Sequence, residues 1–143
     1  MKDFDRKELI RRALEQQKEA YAPYSNFYVS AAVLTESGKI YTGVNVENAS
    51  YPAGMCAERN AIFHAAACGE RKIEAIAVVG GPKGKNKAVC APCGICRQVM
   101  REFCDPKEMR VVLARTPEEY REMSLEELLP VSFGPEDLGG YDG

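Results

Sequence analysis

Apolar positions along this chain change their period several times, and each change marks an element. Leu9, Ile10, Ala13 and Leu14, followed by Ala20 and Tyr21, recur at helical spacing from a start near Asp5, and Pro23 closes that helix. Residues 27–35 and 39–45 are apolar and β-branched and flank the turn Glu36-Ser37-Gly38, which predicts a hairpin. After a loop around Tyr51-Pro52-Ala53-Gly54, an alanine-rich segment runs from Cys56 to Gly69, whose permissive backbone suits a helix stop. Small side chains there imply close packing on a sheet. Residues 73–80 read as a buried strand bounded by glycine. Pro92 suits the first turn of the next helix, with Ile95, Val99 and Phe103 as its inward stripe, and Asp105-Pro106 ends it. Residues 109–114 predict another strand, and Ser124-Leu125-Glu126-Glu127 matches a capping box opening a last short helix. Strands alternating with helices argue for an α/β/α sandwich with one central mixed sheet.

At 143 residues the chain is long enough for one domain with a real core, and no Pro/Gly/Ser-rich stretch divides it. The expected organisation is a single domain over residues 1–138 with a frayed tail at 139–143. The start Met-Lys-Asp-Phe-Asp-Arg is charged, with no apolar stretch behind it, so no secretory signal and a cytoplasmic location are expected. The longest apolar runs are too short to span a bilayer. With 19 Lys+Arg against 21 Asp+Glu, the chain offers no electrostatic footprint for a polyanion, which excludes nucleic acid as an expected partner. Six cysteines without a secretion signal favour metal binding and free thiols over bridges.

Candidate chemistry concentrates in Cys56-Ala57-Glu58 and Pro92-Cys93-Gly94-Ile95-Cys96. A structural zinc site closes its tetrahedron with four protein ligands; three thiolates leave a corner for water, and Glu58 is placed to serve that water as a base. All three thiols fall at helix starts, where free N–H groups and the dipole favour thiolate. Zn²⁺ with three thiolates carries a formal charge near −1, so nearby cations are needed, and Arg59 and Arg97 are the candidates. Two readings compete. The three cysteines could be small buried hydrophobes, or Cys90, Cys93 and Cys96 could hold an iron–sulfur cluster, which leaves Glu58 without a role. Asn45 and Glu47, two apart at a strand end, share a side and offer a carboxamide and a carboxylate to a target with hydroxyls, unless they are ordinary strand-end polar residues. An acidic Glu47 would repel a phosphate at short range. His64 lies eight residues after Cys56, about 12 Å along a helix and too far to share its ion, so it reads as a packing residue. Residues 80–87 lack the ending of a phosphate loop and read as a solvated turn.

Over nearly its whole length the sequence resembles the small, homotetrameric zinc-dependent cytidine deaminases. The likeness rests on residues 22–27 (Ala-Pro-Tyr-Ser-Asn-Phe), 45–49 (Asn-Val-Glu-Asn-Ala), Cys56-Ala57-Glu58-Arg59, residues 92–99 (Pro-Cys-Gly-Ile-Cys-Arg-Gln-Val), and residues 127–130 and 132–138. The resemblance implies a three-layer α/β/α sandwich with a central mixed β-sheet of about five strands. It implies one Zn²⁺ per chain on Cys56, Cys93 and Cys96, with Glu58 as the proton shuttle that turns cytidine and deoxycytidine into their uridine counterparts in pyrimidine salvage. It further implies substrate contacts from Phe27, Asn45, Glu47 and Ala57, with Asn45 and Glu47 on the ribose. Ala49, Tyr51 and Phe133 would reach neighbouring sites in a homotetramer with composite active sites. Ala91, Asn60 and Cys90 depart from the usual pattern and bear on substrate preference. A blasticidin-type aminonucleoside deaminase and a non-catalytic zinc scaffold are the alternative functions.

Overall fold

The structure, a computed structural model, describes residues 3–139. Its elements are α1 (Arg6–Gln16), β1 (Phe27–Thr35), β2 (Ile40–Val44), α2 (Ala57–Ala67), β3 (Ile73–Pro82), α3 (Gly94–Glu102), β4 (Arg110–Thr116), β5 (Glu119–Ser124) and α4 (Leu125–Leu128). The strands form one sheet in the order β2-β1-β3-β4-β5. Every neighbouring pair is antiparallel except β3 and β4, which run parallel with α3 as their crossover.

The two-residue period of a strand sorts the core into two layers. Ala31, Val33, Ile76, Val78, Val111 and Leu113 pack with Ala61, Ile62, Cys96, Met100 and Leu125 on the side of α2, α3 and α4. Their sequence neighbours Ala32, Ala75, Ala77, Val79, Val112 and Ala114 pack with Leu9, Ile10 and Ala13 of α1. Both faces are therefore covered, and the expected three-layer sandwich with a mixed sheet of five strands is what the chain forms.

Contact between α2 and the sheet is set by Gly43 on β2. A Cβ at that position would stand 2.3 Å from the amide nitrogen of Ala61 and 2.8 Å from the carbonyl oxygen of Ala57, so only glycine allows the helix this close. Asn60 Nδ2 donates to the Val44 carbonyl at 2.8 Å and fixes the same seat. The first turn of α2, which carries Glu58, is thereby placed against the sheet.

Four expectations are corrected. The first helix ends at Gln16, followed by a 3-10 turn over Gln17–Glu19 rather than running to Tyr21. The apolar stripe ends at Ala13 and Leu14, and Tyr21 is drawn away by backbone hydrogen bonds to Asn45 and Glu47. Pro92 lies before the N-cap Cys93 rather than inside the first turn of α3. Ile95 is 62% exposed, the buried positions of α3 being Cys96, Met100 and Arg101. A fifth strand, β5, was not placed by pattern, because Glu119-Tyr120-Arg121-Glu122 lies on the outer edge of the sheet and shows no apolar alternation. The expected frayed tail falls largely on residues 140–143, outside the described residues.

Glu122 on that edge strand ties three elements together. Its carboxylate accepts from Arg6 Nε, from Arg6 Nη2 at 3.0 Å and from Arg110 Nε at 2.8 Å. The Arg6 hydrogen bond, against the opposing effect of burial and helped by Arg110, holds the Glu122 carboxyl below its usual range. A depressed carboxylate stabilises the fold fully above the unfolded pKa of about 4.3, and that contribution is lost as pH falls through the folded value. Glu122→Gln should therefore destabilise the protein at pH 7 by about 2 kcal/mol, the scale of hydrogen bonds to charged groups. Thermal melts should show the gap from the parent closing as pH is lowered from about 5 toward 3. A gap independent of pH would show that the carboxylate's charge contributes nothing.

Candidate active site

Two helix starts converge below one cavity. Cys56 is the N-cap of α2, Cys93 the N-cap of α3, and Cys96 the third residue of α3. Their Sγ atoms lie within 4.8 Å of one another. Zinc–sulfur bonds of about 2.3 Å in a tetrahedron hold sulfurs roughly 3.8 Å apart, so this donor set fits a single Zn²⁺ and leaves one corner free of protein.

Environment divides the three sulfurs. Burial, then the negative charges of Glu58 and Cys56, pushes the Cys96 thiol far above its ordinary range. Burial also raises Cys93, but the amides of Ile95 and Cys96, none in capping geometry, and the sulfurs of Cys96 and Cys56 outweigh it and hold that thiol low. Three thiolates at this spacing repel one another unless a cation joins them. Arg59 supplies part of the compensation, its Nη2 standing 3.4 Å from Cys56 Sγ. Its Nε is buried without a hydrogen-bond partner. Arg97, expected beside the thiolates, instead donates from Nε to the Pro92 carbonyl and from Nη1 to the Leu128 carbonyl, each at 2.8 Å. It braces the peptide that precedes Cys93 against the end of α4.

Glu58, the second residue of α2, is only 4% exposed. Burial raises its proton affinity, moderated by its own backbone amide and by the charge of Arg59. It faces a cavity of about 570 Å³ whose wall also includes Cys56, Ala57, Arg59, Asn45, Glu47 and Cys93. Tyr51, 75% exposed, stands at the same cavity with its ring 6.0 Å from that of Tyr24. Phe27 does not line it; the ring packs where a Cβ on Gly80 would lie 3.2 Å from its Cε1. Ala49 and Phe133 are exposed and outside the cavity.

Asn45 and Glu47 both face the cavity but are already engaged, Asn45 by the start of β1 and Glu47 by the chain just ahead of it. Asn45 Oδ1 accepts from the Val29 amide at 2.9 Å, and its Nδ2 donates to the Phe27 carbonyl at 2.8 Å. Glu47 accepts from the amides of Tyr24 and Ser25 at 3.0 and 3.1 Å, and from Ser25 Oγ at 2.5 Å. The Ser25 hydroxyl chiefly, with these amides and against a little burial, lowers the Glu47 pKa and keeps it anionic. Asn45 retains one N–H donor and one oxygen lone pair and Glu47 one further lone-pair direction, a combination suited to hydroxyl groups. Sequence alone gives Ser25 no role, although it stands in the 22–27 stretch that carries the resemblance; its partnership with Glu47 depends on the packed geometry.

Cys90 also lines the cavity, but among the described residues it is not in the three-sulfur group. Burial, with the charges of Glu58 and Cys56, pushes its thiol up to about 11, so it stays protonated. That geometry removes the iron–sulfur alternative. His64 is exposed, edge-on to Tyr41 with ring centroids 5.2 Å apart and 3.2 Å from the Thr42 carbonyl. The expected solvated turn over 80–87 is corrected in its first part: residues 80–82 are the end of β3, paired with β1 and buried at Gly80 and Gly81, and the turn begins at Lys83 and Gly84, φ 52 and 82.

A closed α/β/α frame, three convergent thiols and a buried carboxylate over an open corner define a metal-dependent hydrolase of the zinc class. The model of the cytidine and deoxycytidylate deaminase zinc-binding region matches residues 4–113. A cytidine deaminase of Halalkalibacterium halodurans is 44% identical over 94% of this chain and 98% of its own length. The crystal structure of cytidine deaminase from Burkholderia pseudomallei has a TM-score of 0.79 at 48% identity, covering 88% of this chain and 97% of that one. The enzyme of Mycobacterium tuberculosis has a TM-score of 0.77 at 38% identity, covering 92% and 99%. The chain belongs to the zinc-dependent cytidine deaminase family. No helix among the described residues is long and apolar enough to cross a membrane.

Proposed function

We propose that this protein hydrolyses the exocyclic C–N bond of cytidine and 2′-deoxycytidine, releasing ammonia and the uracil nucleoside, as a step of pyrimidine salvage in the cytoplasm. The observation that carries the reading is the buried carboxylate of Glu58 at the same cavity as Cys56 and Cys93, whose sulfurs group with that of the buried Cys96 at a spacing that could hold a metal ion. Cys56, Cys93 and Cys96 would hold the zinc, which supplies a Lewis acid that makes water a nucleophile near neutral pH. Glu58 accepts the proton that water gives up as it adds to C4 of the base. The same carboxyl then protonates N3 and, after a second transfer, the departing amine, so that water and the aminopyrimidine become ammonia and the pyrimidone. Its raised proton affinity suits a group that must both take and return a proton near neutrality.

Asn45 and Glu47 are proposed to bind the ribose hydroxyls and Ala57 to border the nucleoside. Ala49, Tyr51 and Phe133 would complete neighbouring sites in a homotetramer; the exposure of the two rings, 75% and 58%, supports this. Shared sites follow most simply from a closed symmetric assembly. All six cysteines are free, in keeping with a reducing compartment.

The test is ultraviolet absorbance on cytidine, deoxycytidine, their 5′-monophosphates and blasticidin S. The anionic Glu47 should make the nucleosides good substrates and the monophosphates poor ones. Glu47→Gln should raise KM for nucleosides by about tenfold, the effect of one charged hydrogen bond, while sparing a sugar-free analogue. Equal turnover of dCMP and deoxycytidine would remove Glu47 from sugar recognition. Preference for blasticidin S would move the assignment to the antibiotic deaminases, and absence of all turnover with zinc bound would favour the scaffold.

A further inference from the structure

The segment 131–138 is laid on α3 by polar contacts. Arg101 is 7% exposed, a charge that α3 buries near its end. Its Nε donates to Ser132 Oγ at 2.8 Å, and its Nη2 and Nη1 donate to the Glu136 carboxylate at 2.7 and 3.2 Å. Gly134 lies over the guanidinium. A Cβ there would stand 2.2 Å from Cζ and 2.4 Å from both terminal nitrogens. Gly134 has φ −143, extended backbone that any residue adopts, so it is space and not conformation that demands glycine. One turn earlier on α3, Gln98 Nε2 donates to the Phe133 carbonyl at 2.9 Å, and the Gly134 amide donates to Asp137 Oδ2 at 2.8 Å.

Phe133 sits between these fixed points with its ring 58% exposed, and Val131 and Leu138 are 105% and 78% exposed. Burial of apolar side chains therefore does not hold this segment. Val131 is kept at φ 51, a conformation that a β-branched residue disfavours. A segment without its own core loses conformational entropy when ordered, and here the buried guanidinium is the group that offsets that cost.

We propose that Arg101 and Gly134 are positioning residues for substrate binding: the guanidinium seated beneath Gly134 sets the angle at which the Phe133 ring projects from the subunit. The inference rests on the reading of Phe133 as a cover for the base in a neighbouring site. Arg101 touches no reacting group, so its loss acts through the ring alone.

The experiment compares Arg101→Gln, Gly134→Ala, their combination and Phe133→Ala by steady-state kinetics on cytidine, zinc content and amide hydrogen exchange. Arg101→Gln and Gly134→Ala should each raise KM about tenfold with kcat within about twofold, since binding and not the chemical step loses a contact. Zinc content should match the parent, and exchange should speed up in 131–138 alone. The double variant should be no worse than the poorer single one, because clash and clamp are the same contact. Arg101→Lys, with the charge but not the fork, should fall between Arg101→Gln and the parent. Parent-like KM in Arg101→Gln and Gly134→Ala beside a raised KM in Phe133→Ala overturns the inference while sparing the reading of Phe133. A parent-like Phe133→Ala overturns both. If Arg101→Gln does not fold, Gly134→Ala decides, and loss of zinc or of kcat in that variant also overturns the proposal, since Arg101 then supports α3 as a whole.

Discussion

Glu58→Gln is expected to keep its fold and its zinc and to lose turnover of cytidine by at least 10²–10⁴-fold, roughly the range of general acid–base catalysis. An amide of the same shape fills the same buried place but cannot accept a proton from water or return one to N3. Glu58 is 4% exposed, and burial is what raises its proton affinity, so replacing it with a neutral group removes a desolvation cost. The variant should accordingly melt no lower than the parent at neutral pH, a site whose stability was given up for chemistry. Thermal melts, elemental analysis and the absorbance assay on one preparation would check the three parts together. Near-parental deamination by a zinc-loaded Glu58→Gln would exclude Glu58 from proton transfer.

The second large effect is expected at the metal. Cys96→Ser should fall from about one zinc per chain to almost none after mild chelation, with turnover lost alongside, because a buried hydroxyl is a far weaker donor than thiolate. The Cys96 thiol is fully buried and pushed up by burial and by neighbouring negative charge, so the cation and the deprotonated sulfur stabilise each other. Cys90→Ser should retain metal and turnover, as Cys90 stays outside the three-sulfur group. The metal-free Cys96→Ser protein should also melt lower than the loaded parent, because binding energy at a site joining α2 to α3 is folding energy. Iron with acid-labile sulfide in the parent, or metal loss on Cys90→Ser alone, would return the site to the cluster reading.

Local rules made much of this protein legible. Cys56 and Cys93 fall on N-caps because a helix start is written in neighbouring residues, and the Ser124 capping box formed as its four residues required. Strands buried on either face declared themselves by apolar runs. Edge strand β5 did not, since an exposed edge needs no apolar alternation and its register is set by pairing with β4. Ile95 was misplaced because helical spacing gives the faces of α3 but not which of them meets the sheet; Cys96 and Met100 do.

What the sequence by itself determined is the set of candidate groups: three thiols and a carboxylate in two short motifs, each lying at the start of its own helix. What only the tertiary structure decided is the company those groups keep. Gly43 lets α2 close on β2, Arg97 ties the Cys93 loop to α4 across 31 residues, Ser25 holds Glu47 across 22, and Arg101 reaches Gly134. Such contacts join residues far apart in the chain, and their energies depend on distances that exist only once the layers have packed; no local propensity carries them.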